Sequence, residues 1–160
     1  RQAPNRVAAL ALLGTTARPE SAEMRDVREN AIRLFEQGRM AEVIEPNVHF
    51  AFHPDHAKDE SLVGAYLEFV LRAGAGQLIR QNRAVIVRPD ARTHLRRVAC
   101  PVLVMHGEDD ALVPFEHARE TSALVPRSRL VPVARCGHML TMEQPAFVNK
   151  TLRRWLRDWS

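Results

Sequence analysis

Pro101-Val102-Leu103-Val104-Met105-His106-Gly107-Glu108-Asp109-Asp110-Ala111-Leu112-Val113-Pro114 is the stretch on which the reading of this chain turns. A continuous apolar run closed by glycine reads as a strand buried on both faces, the kind found in parallel sheets covered by helices. The acidic turn that follows ends at a proline, and Pro114 to Val125 reads as a helix. Asp109 reads as the cap of that helix. Asp110 is the candidate for chemistry.

Outward from this stretch the same alternation recurs. Arg129 to Val133 is a third apolar run, and Gln144 to Trp159 is a closing helix with Phe147, Val148, Leu152, Trp155 and Leu156 on one face. Upstream, Val7-Ala8-Ala9-Leu10-Ala11-Leu12-Leu13 ends at Gly14-Thr15-Thr16 and reads as another strand buried on both faces. Strand, helix, strand, helix in this order predicts right-handed crossovers in a mostly parallel sheet.

Between these core pieces, residues 20–97 contain no good strand. Ala22 to Met40 carries apolar residues at near-helical spacing, and the helix is expected to end around Gly38. Glu45-Pro46-Asn47 reads as a break, and Phe52-His53-Pro54-Asp55 reads as loop. Asp59 or Ser61 would cap a second helix ending at Gly74-Ala75-Gly76. A third would run from Gln77 to Val87 and stop before Arg88-Pro89-Asp90. A short turn holds Leu95 and Val98. The expected divisions are therefore 1–19 (strand and turn of the core), 20–97 (helical insertion) and 98–160 (the rest of the core).

Ligands in open α/β sheets bind beyond the carboxyl ends of the strands. Two loops fall there: Gly107 to Pro114, and Ala134-Arg135-Cys136-Gly137-His138-Met139. On neighbouring parallel strands they lie side by side. Asp110 and His138 then form a candidate acid–imidazole pair, in which the carboxylate fixes the tautomer and stabilises the imidazolium.

These residues carry a resemblance. Pro101 to Pro114 resembles the acid-bearing strand and loop of α/β-hydrolases. Cys136-Gly137-His138 followed by Glu143-Gln144-Pro145 resembles their histidine loop and the helix after it. In that family the acid stands three residues after the loop glycine and four before the proline, which selects Asp110 over Asp109. Arg6 to Pro19 is similar to the sixth strand, residues 20–97 to the helical lid, and Arg88-Pro89-Asp90 to a stretch that precedes the seventh strand.

The resemblance implies the C-terminal part of an α/β-hydrolase fold, a mostly parallel sheet with an inserted lid. It implies hydrolysis of a small carboxylic ester by acyl transfer. His138 would serve as general base and then general acid, and Asp110 would orient it. Thr15, Thr16, Phe50, Phe52, Tyr66, Phe69 and Met139 are the candidate lining of a substrate pocket. Members with other chemistry include dehalogenases, carbon–carbon bond hydrolases and haloperoxidases. In this family the nucleophile sits in an upstream Gly-x-Ser-x-Gly elbow. None of Ser21, Ser61, Ser122, Ser128 and Ser160 lies in such a motif, nor does Cys100 or Cys136. The 160 residues are expected to be inactive alone. The open edge of the first strand calls for an N-terminal companion piece or for self-association. A non-catalytic, partner-binding module is the rival reading.

Composition narrows the partners. The formal charge of +4 comes almost wholly from scattered arginines, with Lys58 and Lys150 the only lysines. No charge run or aromatic interleaving marks a nucleic-acid binder. Two cysteines fit a reduced, cytoplasmic setting. No signal peptide and no apolar run of membrane-spanning length is visible. His49, His53, Asp55 and His56 are read as polar loop residues, because Pro54 breaks the spacing a metal would need. His94, His106 and His117 are read as lone structural or solvated histidines. No metal or cofactor is expected, and the expected partner is a small-molecule ester.

Overall fold

A computed structural model describes residues 2–158. Trp159, expected at the end of the closing helix, lies outside the described residues, as do Arg1 and Ser160. The chain divides into two compact units. One comprises 1–17, 50–53 and 91–160; the other comprises 18–49 and 54–90.

The first unit is the sheet unit. Its strands are β1 (Leu10–Leu13), β2 (Val102–Gly107) and β3 (Ser128–Val133), ordered β1-β2-β3 and parallel throughout. Every β2 residue is buried, His106 included, as expected of a mostly apolar strand between two neighbours. Alternation divides the core. Leu103 and Met105 face Val133, Cys136, Leu140, Val148 and Trp155, with Ala11 and Leu13 beside them. Val102 and Val104 face Ala118 and Val125, with Leu10, Leu12, Leu95 and Leu130 packed against them. Helix α8 (Pro145–Arg157) therefore covers one face, and α6 (Phe115–Leu124) with the short α5 (Arg92–Leu95) covers the other.

The first strand is shorter and less buried than its sequence implies. Only Leu10–Leu13 pairs, all four residues are half-buried, and Val7 is 42% exposed beyond a 3-10 turn at Pro4–Arg6. The reason is position: β1 has a neighbour only in β2 among the described residues, so one flank stays uncovered. β3 is the opposite edge, and Pro132 is tolerated there because an edge strand can spare a ladder donor.

The second unit is helical: α1 (Ala22–Glu36), α2 (Ala41–Asn47), α3 (Glu60–Ala73) and α4 (Ala75–Ile86). Phe35, Val70 and Leu78 form its core, joined by Met40, Val43, Ile44 and Tyr66. Ser21 caps α1 and Asp59 caps α3. Helix α1 stops at Glu36, close to the expected end at Gly38. Gly38 takes a φ of 76°, its N–H bonds back to Phe35, and the Arg39 N–H bonds back to Leu34, a Schellman end. The expected break at Glu45-Pro46-Asn47 is helical: Pro46 sits inside α2. In so short a helix it forfeits a single bond, and the packing of Val43 and Ile44 outweighs that loss. Helix α4 begins at Ala75, two residues before the expected start, because Gly74 (φ 79°) makes the turn alone.

Among the described residues no single helix is long and apolar enough to cross a membrane. The helical unit leaves the sheet unit after Ala17 and rejoins it at Ala91, whose N–H bonds to the Ala17 carbonyl at 2.8 Å. Between these points the chain returns once, at Phe50–His53.

Candidate active site

Parallel strands end together, so the turns after β1, β2 and β3 meet at one edge of the sheet. Ladder bonds run on into the turns: Gly14 N–H to Met105 O (3.0 Å), Glu108 N–H to Val133 O (3.0 Å) and Asp109 N–H to Cys136 O (3.1 Å). The backbones touch. A side chain on Gly107 would collide with the carbonyls of Cys136 and Gly137, so only glycine fits where the strand turns out.

Asp110 is buried at the centre of this edge. Its Oδ1 accepts the N–H groups of Leu112 and Val113, each at 2.9 Å. Its Oδ2 lies 2.8 Å from His138 Nδ1 and 3.1 Å from His106 Nε2. Burial opposes ionisation of Asp110, but the His106, His138 and Val113 hydrogen bonds and the field of His138 outweigh it. The carboxyl is held well below the ordinary carboxylate range. With Nδ1 engaged by a carboxylate, His138 carries its proton there and leaves Nε2 as a lone pair. The ring is 30% exposed, so it is accessible from outside.

The histidine loop is braced from behind. Glu143, buried in the short helix α7 (Leu140–Glu143), accepts the N–H of Gly137 (3.0 Å to Oε1), of Met139 (3.1 Å) and of His53 (2.7 Å). These include the residues on both sides of His138. The N–H groups of His138 and Met139 bond to the Ala51 carbonyl at 3.0 and 3.2 Å. A Cβ on Gly137 would lie 2.6 Å from His53 N, so Phe52–His53 lies flat against the loop. Cys136 is fully buried; burial, reinforced by Glu143, pushes its thiol up to about 12.

Several expected placements change. Asp109 does not cap α6, whose N-cap residue is Pro114 and which has no side-chain cap, and Asp109 Oδ2 stands 3.7 Å from His53 Nε2. His53 accordingly belongs to the sheet unit rather than to a solvated loop. His106 is no lone histidine, because it sits on the acid. Neither Glu143 nor His106 was singled out by the sequence. The signals were a glutamate five residues after the histidine and a polar residue in an otherwise apolar strand.

The other candidate residues divide between the two units. A Cβ on Gly14 (φ 59°) would lie 3.6 Å from His138 Cε1, and half-buried Thr15 and Thr16 follow it directly. Met139 is half-buried beside His138. Phe50 is 53% exposed, whereas Phe52 is fully buried and offers no open face to a substrate. In the helical unit Tyr66 packs on the Phe35 core and Phe69 is exposed. Among the described residues no three metal-ligating side chains converge.

The acid and the histidine stand on the turns of neighbouring parallel strands, and residues 2–151 match the model of the alpha/beta hydrolase family. The chain belongs to that family. The chain superposes on a thermophilic esterase from Thermogutta terrifontis with a TM-score of 0.92 and 26% identity, over 99% of the chain and 58% of the esterase. The enol-lactonase from Burkholderia xenovorans LB400 shares the fold at a TM-score of 0.83 and 21% identity, over 96% of the chain and 57% of the lactonase. In sequence, a pimeloyl-[acyl-carrier protein] methyl ester esterase from Nitrosomonas europaea is 26% identical over 86% of the chain and 57% of its own length. The chain spans 31–33% of the first curated relatives it matches.

Proposed function

We propose that the whole protein is a serine-type hydrolase that cleaves a small carboxylic ester by acyl transfer to water. The observation that carries this reading is the 2.8 Å contact between Asp110 Oδ2 and His138 Nδ1 at the carboxyl edge of a parallel sheet. The esterase and methyl ester esterase among its relatives support the choice of substrate class.

In this reading His138 Nε2 removes the proton from an incoming serine hydroxyl as that oxygen attacks the ester carbonyl. The same nitrogen returns the proton to the departing alkoxide. A second cycle, with water as the nucleophile, releases the acid. Asp110 holds the ring in the Nδ1–H tautomer and stabilises the imidazolium in both cycles. The serine and the oxyanion donors come from a part of the fold that pairs along the outer edge of β1. Residues 1–160 contain no Gly-x-Ser-x-Gly elbow and would be inactive alone. Thr15, Thr16, Phe50 and Met139 are the pocket-lining candidates in the sheet unit. Tyr66 and Phe69 are the candidates in the helical unit.

The test is p-nitrophenyl acetate turnover by the whole protein and by its His138→Ala variant. A fall of about 10³-fold or more is expected; equal rates would overturn the reading.

A further inference from the structure

His106 is fully buried at the end of β2. Its Nε2 lies 2.8 Å from the Val113 carbonyl and 3.1 Å from Asp110 Oδ2. Its Nδ1 is buried and has no hydrogen-bond partner. The Phe115 ring stands edge-on to the imidazole at 6.1 Å between centroids.

Two oxygens facing one ring nitrogen require a proton on that nitrogen. The opposite tautomer would set a bare lone pair against a carbonyl and a carboxylate, and would bury an N–H with no acceptor. His106 is therefore the Nε2–H tautomer, while His138, on the same Oδ2, is Nδ1–H. Together with the Leu112 and Val113 amides at Oδ1, the two imidazoles occupy all four acceptor directions of the Asp110 carboxylate.

We propose that His106 is a positioning residue for the proposed acid. Its single N–H ties Asp110 Oδ2 to the Val113 carbonyl, closes the acid loop on itself and keeps that oxygen aimed at His138. The arrangement also separates the roles of two histidines on one oxygen. The His138 side chain is 30% exposed, whereas the second nitrogen of His106 is buried without a hydrogen-bond partner. His106 thus orients and does not exchange a proton with a substrate. The kinetic part of the test rests on the proposed ester hydrolysis; the spectroscopic part rests on geometry alone.

The experiment uses the whole protein with ¹⁵N-labelled histidine, and long-range ¹H–¹⁵N ring correlations read the tautomers. Nε2–H is expected for His106 and Nδ1–H for His138. A His106 ring carrying its proton on Nδ1 overturns the proposal, and this measurement needs no variant. In His106→Leu, the ¹³C-observed titration of the Asp110 carboxyl moves to higher pH. With p-nitrophenyl acetate, kcat falls about tenfold while KM stays within about twofold, the signature of lost positioning rather than lost binding. His106→Gln, whose amide nitrogen reaches the place of Nε2, restores most of kcat. An unmoved Asp110 titration in a folded His106→Leu protein also overturns the proposal. If the wild-type protein turns over no ester, the hydrolase reading fails, and the tautomers and the Asp110 titration still decide the role of His106.

Discussion

In the loop after β2 the acidic side chain builds its own support: Asp110 binds two amides of its own turn through Oδ1, and His106 ties its Oδ2 to Val113. In the loop after β3 the imidazole builds nothing. Its two neighbours, Gly137 and Met139, are held by a carboxylate five residues downstream, and its backbone leans on Ala51 from a distant part of the chain. The first loop is a local structure that β2 carries with it. The second is an assembly that needs α7 and the Phe50–His53 return. In the proposed mechanism His138 carries a proton and keeps one ring nitrogen outward, so its support comes from the backbone side, whereas the orienting Asp110 can be enclosed completely.

The largest expected effect strikes the assembled loop. In Glu143→Gln an amide NH₂ replaces one of the oxygens facing the Gly137, Met139 and His53 N–H groups. Leaving such buried donors unpaired costs about 3 kcal/mol, a fall in Tm of roughly 6–12 °C for a chain of this size. Differential scanning calorimetry measures it. A variant as stable as the wild type would show that the histidine loop stands without its brace.

A smaller effect separates the two loops by pH. Because its carboxyl is depressed, folded Asp110 binds fewer protons than the unfolded chain in the window below the ordinary carboxylate range. Its contribution to stability is whole above that range and is lost as the pH falls through the window. Urea midpoints measured between pH 6 and pH 3 should decline for the wild type and decline less steeply for Asp110→Asn. Parallel slopes would mean that Asp110 gains nothing from its enclosure.

The smallest effect is chemical. Cys136 lies in the braced loop with its thiol pushed up to about 12 by burial and by Glu143, whereas Cys100 is half-buried outside it. At pH 8 iodoacetamide should label Cys100 in the native protein and spare Cys136 until the protein is unfolded, as read by mass spectrometry. Equal labelling would show that the histidine loop opens readily.

Local chemistry made much of this molecule legible. The largely apolar run Val102–Gly107 reads as an interior strand, Gly74-Ala75-Gly76 reads as a helix end, and the resemblance to α/β-hydrolases, carried by the spacing of Gly107, Asp110 and Pro114, points to one acid of a pair. These signals lie within a turn or two of each other, so the sequence alone contains them. The partial burial of β1, the helical Pro46, the use of Glu143 and the seat of His106 all depend on what comes to lie beside each residue. A buried carboxylate or imidazole is a liability until its donors and acceptors arrive from elsewhere in the chain. Packing supplied those partners, and so decided that Glu143 braces the histidine loop and that His106 rests on the acid.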